Sequence, residues 1–321
     1  MPIISKIKRN MPVQYIDTIL NSIKELEHNH RTHYRNKTVF GIDANLITNT
    51  FSSKISIKYM KFIQSIPMDI KNIIIRDFND EIGIIIQKQT IIKIDELFEM
   101  SNLFLDDNNY KLKYFCIHLP TNNNFIKYEN EIIFRNNFIE FNFMNKEMVT
   151  YPDSFFQYNI YVLNEMYDIF IKWINGCNNM INLGDDGCNI GTILSNYFDN
   201  IVVFLHCYKS LTCGNEMNLR NNTNIQITRN IHTVFDMVQE LNDIVVFINP
   251  GRKGMKRNEI SFLNFPISRN VKYIIYMACN IKTYIKDINE NLTNYTEIDK
   301  KEIIFMPDIN KTHYFFLLER N

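Results

Sequence analysis

Two patterns of apolar residues divide the chain. In the first, short apolar stretches are separated by Asp, Asn and Gly, which predicts β-strands joined by turns. The segment KNIIIRDFNDEIGIIIQKQ predicts two strands around a turn, and YFCIHL, NEIIF and FIEFNFM predict further strands. Upstream, apolar residues at helical spacing predict one amphipathic helix from Pro12 to about Leu26. Residues 1–145 are therefore predicted to form a smaller α+β or β-rich domain.

In the second pattern, after the loop TYPDS, nearly continuous apolar runs alternate with segments of helix length. The runs are MINL, IVVFLH, IQIT, DIVVFIN and VKYIIYMA. Runs of this kind suit parallel strands that are covered on both faces. The chain closes with EIIFMPD and THYFFLLER, two strands joined by a few residues. Five βα units and a terminal antiparallel hairpin predict that residues 146–321 form a doubly wound, Rossmann-like α/β domain.

Composition narrows the class of protein. The 321 residues are 45% hydrophobic and 22% charged, which is ordinary for a folded globular protein. The 35 Lys and Arg balance the 35 Asp and Glu, so only a local basic patch would attract nucleic acid. No apolar run approaches the roughly 20 residues that span a bilayer. We therefore expect a cytoplasmic protein, or a nuclear one, without a membrane partner.

Metal chemistry is not predicted. The six cysteines contain no C-x-x-C pair, so neither a zinc ribbon nor an iron–sulfur site follows from their spacing. The histidines in EHNHRTHYRNK, which are His28, His30 and His33, have no Cys or carboxylate that completes a known ligand spacing. Solvated loop histidines and buried free thiols are the better interpretation.

Ligands of doubly wound sheets collect outside the carboxyl ends of the strands. The first run of the second domain leads into GDDGCNIGT, where Gly184 would let a cofactor approach the backbone. The fourth run ends at Asn249, whose amide could pair with the N3–H and O4 of uracil. Four basic residues follow and suit phosphate contacts, although a solvated basic helix start is an alternative interpretation. They are Arg252, Lys253, Lys256 and Arg257.

The fifth run ends at Cys279, on the same sheet edge as Asn249. Position alone leaves two interpretations open, a small core residue or a nucleophilic thiol.

Four motifs in family order resemble those of the RNA 5-methyluridine (uracil-C5) methyltransferases of tRNA and rRNA. SFFQYN at 154–159 resembles S-F-F-Q-x-N, and NPGRKG at 249–254 resembles D-P-P-R-x-G. Cys279 and Asn280, with Thr283 and Asp287, resemble S-C-N-P-x-T-L-x-R-D, and the adjacent Thr312 and His313 resemble the closing T-x-H-x-E. Upstream, YRNK at 34–37 resembles the Y-R-N-K of the family's central domain.

The resemblance implies a class I S-adenosylmethionine-dependent methyltransferase domain and RNA as the partner, most simply tRNA. Cys279 would attack C6 of uracil, which makes C5 able to accept the methyl group. Asn249 would take the place of the base-contacting aspartate, near the cofactor. The remaining implied cofactor contacts are Gln157, Thr192 and, from position, Asn230. From their own composition, Arg35 and Lys37 with the neighbouring aromatic residues suit either a small RNA-contacting surface or a solvated polar loop.

Three departures from the family pattern keep alternatives open. His206 replaces the acidic residue that should end the second strand and hold the cofactor ribose, and the glycine loop is about three residues longer. Phe315 replaces the glutamate thought to act as base, which leaves His313 as the best replacement because Glu319 lies roughly 20 Å along the same strand. A catalytically inactive RNA-binding or scaffolding protein with a methyltransferase fold is therefore the second hypothesis. A structural interaction protein indifferent to RNA is the third.

Overall fold

The computed structural model divides the chain into two compact units. The first comprises residues 1–141, 151–153 and 158–160, and the second comprises 142–150, 154–157 and 161–321. The structure describes residues 6–8, 37–43, 46–49, 70–78, 81–88, 94–107, 110–119, 130–154, 156, 162–184, 187–250, 254–306 and 311–321. The predicted helix from Pro12 and the histidines at 28, 30 and 33 lie outside these ranges.

In the described residues, the first unit contains a seven-stranded sheet. Its strands are β1 (Lys6–Lys8), β2 (Lys37–Asp43), β3 (Leu46–Asn49), β4 (Ile70–Phe78), β5 (Glu81–Lys88), β6 (Lys111–Leu119) and β7 (Asn130–Asn136). Their order across the sheet is β1-β3-β2-β4-β5-β6-β7. Neighbours are antiparallel except for β5 and β6, which are parallel because helix α1 (Ile94–Asp107) crosses between them. The strands predicted from KNIIIRDFNDEIGIIIQKQ, YFCIHL and NEIIF are confirmed.

A two-stranded sheet follows, made of β8 (Ile139–Phe143) and β9 (Lys146–Thr150). Met144 and Asn145 connect its strands with positive φ angles of 48° and 59°. Two consecutive residues in this region make the tight turn of a hairpin.

The second unit contains a mostly parallel sheet. Its strands in the described residues are β10 (Asn179–Leu183), β11 (Asn200–Phe204), β12 (Ile225–Thr228), β13 (Ile244–Ile248), β14 (Val271–Ala278), β15 (Tyr295–Met306) and β16 (Lys311–Arg320). Their order is β12-β11-β10-β13-β14-β16-β15. The first five of this order are parallel, whereas β16 is antiparallel to β14 and to β15. Chain order reverses between β10 and β13, and this switch point is where open α/β sheets form their ligand crevice.

Helices cover this sheet. They are α2 (Leu163–Trp173), α3 (Asn189–Ile193), α4 (Tyr208–Arg220), α5 (Ile231–Glu240), α6 (Arg257–Ile260) and α7 (Ile281–Asn291). Every residue of β10 and of β13 is buried, which explains why the sequence shows continuous apolar runs there rather than alternation. The predicted Rossmann-like α/β domain with a reversed last strand is confirmed. Among the described helices, none combines the length and apolar character that crossing a membrane requires.

Candidate functional site

The crevice at the switch point is built from backbone. The N–H of Asn249 donates to the carbonyl of Leu183 at 2.9 Å, and the N–H of Gly184 donates to the carbonyl of Phe204 at 3.3 Å. The ends of β10, β11 and β13 are thereby tied together. Gly184 has a φ of +135°, and a Cβ at this position would collide with the carbonyl oxygen of Asn249. Only glycine fits here, for both conformational and steric reasons.

The residues after Gly184 lead into α3, the first helix of the crevice. Gly187 and Cys188 have φ angles of 70° and 68°, so two successive residues adopt the left-handed conformation. Thr192 is fully buried, and its hydroxyl donates to the carbonyl of Cys188 at 2.9 Å. This hydroxyl therefore stabilises the first turn of α3, and the cofactor contact assigned to Thr192 by resemblance stays a prediction.

The end of β11 carries a contact between an imidazole and a carboxylate. Nε2 of His206 lies 2.7 Å from Oε1 of Glu259, which reaches it from α6. The His206 side chain is 35% exposed, whereas that of Glu259 is 7% exposed. A carboxylate is thus present beside the strand end at which the family has its ribose-binding acid, although it comes from a different segment of the chain.

The neighbours of Glu259 favour its ionised form. Burial alone would raise the pKa of its carboxyl, but hydrogen bonding and charge attraction from His206, together with Lys256, outweigh burial and lower the pKa. Nζ of Lys256 lies 3.3 Å from Oε1 of Glu259, and the Lys256 backbone N–H donates to Oε2 at 3.3 Å. The second contact is half of a capping box, because Glu259 is the third residue after the N-cap of α6.

Asn230 has a capping role in the structure. It precedes α5, and its side-chain oxygen accepts a hydrogen bond from the N–H of His232 at 3.1 Å. Capping the helix fixes this side chain at the carboxyl end of β12, which is the edge that the resemblance assigns to the cofactor.

The basic residues after Asn249 are only partly described. Lys256 and Arg257 are exposed at the start of α6, and the ammonium of Lys256 is shared with Glu259. Gln157, Arg35, Arg252 and Lys253 lie outside the described residues, and Lys37 is the first residue of β2.

Cys279 directly follows β14 and is half-buried. Asn280 caps α7 by accepting from the N–H of Lys282 at 3.1 Å. The β14–β16 register pairs Ala278 with Tyr314, so continuing it by one residue sets Cys279 opposite His313. The two predicted catalytic residues therefore belong to the same end of the same strand pair.

The side chain of Phe315 cannot serve the site. It is fully buried, and its ring lies 5.6 Å from that of Phe170 and 6.2 Å from that of Phe305. His313, two residues earlier, is half-buried and stacks on Phe305 with ring centroids 4.6 Å apart.

A buried network links the Cys279 helix to the loop after β13. Oδ2 of Asp287 accepts from the hydroxyl of Tyr276 at 2.6 Å and from the N–H of Met255 at 3.4 Å. Burial, and then the hydrogen bond to Asp287, raise the pKa of Tyr276 well above its ordinary value. A Cβ on Gly254 would lie 2.5 Å from Cγ2 of Thr283 and 3.0 Å from Asp287. Gly254, which matches one family motif, thus packs against Thr283 and Asp287, which both match the Cys279 motif.

Sequence reasoning missed the roles of Glu259 and of Asp287. The capping pattern at Glu259 could have located the start of α6, but its contact with His206 spans 53 residues. The motif singles out Asp287 in the sequence, while its partners Tyr276 and Met255 follow only from the fold.

Comparison with known proteins places this geometry in context. No protein-family profile matches the chain. An uncharacterised RNA methyltransferase of Fusobacterium nucleatum is 22% identical over 271 residues, which are 78% of this chain and 57% of that protein. The chain thus spans little more than half the length of this curated relative.

A solved structure is similar over both units. It is the Pyrococcus abyssi tRNA (uracil-54, C5)-methyltransferase in complex with S-adenosyl-L-homocysteine, with a TM-score of 0.64, 14% identity, and coverage of 89% of this chain and 76% of that chain. At this identity the likeness establishes the fold alone, which is a Rossmann-like α/β fold.

Proposed function

We propose that the chain is an S-adenosylmethionine-dependent RNA (uracil-C5) methyltransferase acting on tRNA. The observation that carries the proposal is the position of Cys279 at the carboxyl end of β14, beside the β13 end that holds Asn249. The names of the Fusobacterium relative and the Pyrococcus enzyme support an RNA substrate, and the second supports uracil in tRNA.

The crevice fits the cofactor. The missing Cβ at Gly184 lets the ends of β10 and β13 approach closely at the switch point, and Asn230 stands at the end of β12 on the same sheet edge. We assign the ribose-binding position to His206 held by Glu259, since the carboxylate orients the imidazole at the end of β11. When bound, S-adenosylmethionine supplies an electrophilic methyl group.

Cys279 provides the covalent step. Its thiolate adds to C6 of uracil, and the electron pair displaced from the C5–C6 double bond makes C5 nucleophilic. Once C5 carries the methyl group, a base removes the C5 proton, the double bond re-forms and the thiolate leaves from C6. A thiol suits both roles because it ionises near neutral pH and is a good leaving group.

His313 is the residue we assign to proton removal. It lies opposite Cys279 in the extended β14–β16 register, and a neutral imidazole accepts a proton near pH 7. The buried Phe315 offers no such group.

Asn249 would recognise the base, and the exposed Lys256 and Arg257 would contact phosphates. In a stacked RNA, side chains cannot reach C6 of uracil. The target nucleotide must therefore be flipped out of the stack to reach Cys279.

Trapping the covalent adduct tests the proposal. RNA that carries 5-fluorouridine at the target has no C5 proton for a base to remove, so the enzyme should stay bonded to it and migrate as a denaturation-resistant complex when S-adenosylmethionine is present. Cys279→Ala should form none, whereas Cys207→Ala, which alters an exposed cysteine at the N-cap of α4, should form it normally. RNA binding without an adduct or methyl transfer would instead support the catalytically inactive RNA-binding protein.

A further inference from the structure

The first unit brings together a thiol, an imidazole and a carboxylate. One ligand atom from each of Cys116, His118 and Glu131 lies within 4.8 Å of the other two, the one such group in the described part of the chain. Nε2 of His118 is 3.2 Å from Oε1 of Glu131. This cluster belongs to the first unit and has no role in the proposed reaction.

Strand geometry creates the cluster. Cys116 and His118 are two residues apart on β6, so both side chains point to the same face of the sheet. Glu131 lies directly opposite His118 on the antiparallel strand β7, and opposed residues share a face. Three side chains on two paired strands are therefore held by backbone hydrogen bonds rather than by a loop.

We propose that Cys116, His118 and Glu131 bind a zinc ion. Thiolate, imidazole and carboxylate are the zinc ligands of proteins, whereas Mg²⁺ and Ca²⁺ prefer oxygen alone. Zinc lies about 2.0 to 2.3 Å from each ligand atom, so two ligand atoms on one ion are less than about 4.6 Å apart. The ligand atoms of the cluster lie within 4.8 Å of one another, so small side-chain rotations suffice to place all three on one ion.

The surroundings suit a bound ion. Cys116 is fully buried and His118 is 9% exposed, which fixes two ligands in place. The Glu131 side chain is 33% exposed and gives the ion a route from solvent. Three protein ligands leave the fourth tetrahedral position of zinc to water or to an exogenous ligand.

Cobalt titration of the full chain tests the proposal. Co²⁺ takes the place of zinc and reports thiolate ligation through an intense charge-transfer band in the near ultraviolet. The chelator-treated protein should bind one Co²⁺ per chain with this band, and Zn²⁺ should displace it. Cys116→Ser should lose the band, and His118→Gln should lose tight binding.

Two further variants make the result decisive. Glu131→Gln changes the most exposed ligand, so it should fold normally and bind Co²⁺ at least about tenfold more weakly, since even outer-shell losses cost that much. Cys177→Ser is the matched control, because Cys177 is another buried cysteine and burial raises the pKa of its thiol to about 11. Absence of the band in the unmodified protein, or an equal band in Cys116→Ser, would overturn the proposal and leave a core cysteine beside an ordinary His–Glu ion pair.

Discussion

Glu259 lies 2.7 Å from His206, and the two residues are 53 positions apart in the chain. The start of α6 is thereby fixed to the end of β11. The pair places a buried carboxylate beside the imidazole to which we assign the ribose-binding position.

The pair should make stability depend on acid pH. The folded-state pKa of Glu259 is lowered, so its contribution to stability is present above the ordinary pKa of about 4.3 and is lost as pH falls through the folded value. Glu259→Gln should cost about 1 to 2 kcal/mol at neutral pH and flatten the loss of stability below about pH 4.3. Urea unfolding at several pH values measures both effects. Glu240→Gln, an exposed change on α5, should leave the pH profile unaltered.

The Asp287 network should stabilise the loop after β13. Asp287→Ala leaves the buried Tyr276 hydroxyl without its acceptor and should destabilise the protein by roughly 1 to 3 kcal/mol. In a double-mutant cycle, Tyr276→Phe should make the Asp287→Ala change less costly, because the stranded hydroxyl is gone. Strictly additive free energies of unfolding would show that the two residues do not interact. Asp236→Asn on the exposed face of α5 should change stability by less than about 0.5 kcal/mol.

Gly184→Ala should damage both the fold and the crevice. The positive φ costs about 1 to 3 kcal/mol for a side chain, and collision with the Asn249 carbonyl adds overpacking of similar size. Gly176→Ala is the matched control, because Gly176 also has positive φ (+80°) but its Cβ would meet only the flexible Lys272 ammonium at 3.2 Å. In urea unfolding, Gly184→Ala should be more destabilising than Gly176→Ala. In calorimetry, Gly184→Ala should also weaken S-adenosylmethionine binding. Equal losses of stability in the two variants would refute the argument from close backbone approach.

Arg257→Gln should weaken RNA binding without changing sequence preference. A phosphate contact is electrostatic, so the slope of log affinity against log salt should fall by about one. Arg257 is the better choice than Lys256, whose ammonium also contacts Glu259. Lys286→Gln, an exposed change on α7, should leave the slope unchanged.

The parallel sheet could be predicted because its strands are buried on both faces. The segments that form β10 and β13 are apolar except for Asn179 and Asn182, whose side chains are buried. The start of β15 was missed, since EIIFMPD predicted a strand from about Glu302 whereas β15 begins at Tyr295. Its first half, TEIDKKE, is charged and exposed because β15 lies at the edge of the sheet, and a register shift between Glu297 and Asp299 disturbs alternation.

The residues of the candidate site also fall into two groups, those that the sequence predicts and those that only the fold reveals. Gly184, Asn249 and Cys279 could be selected from sequence because each directly follows an apolar run, and parallel strands end at one edge. The side chains that orient the site could not be selected from the sequence, because Glu259 and Asp287 contact residues that lie on other helices, strands or loops. The sequence does not predict the zinc cluster for the same reason. Cys116 and His118 lie on one strand, and only the pairing of that strand with β7 shows that Glu131 is close to them.

Release of the C5 hydrogen tests the central claim most directly. RNA transcribed with uridine tritiated at C5 should release tritium to water when the protein and S-adenosylmethionine are present, in step with methyl incorporation. Cys279→Ala should abolish release and incorporation together, while Cys207→Ala retains both. Methyl incorporation without tritium release, or release that persists in Cys279→Ala, would contradict uracil-C5 methylation through this cysteine.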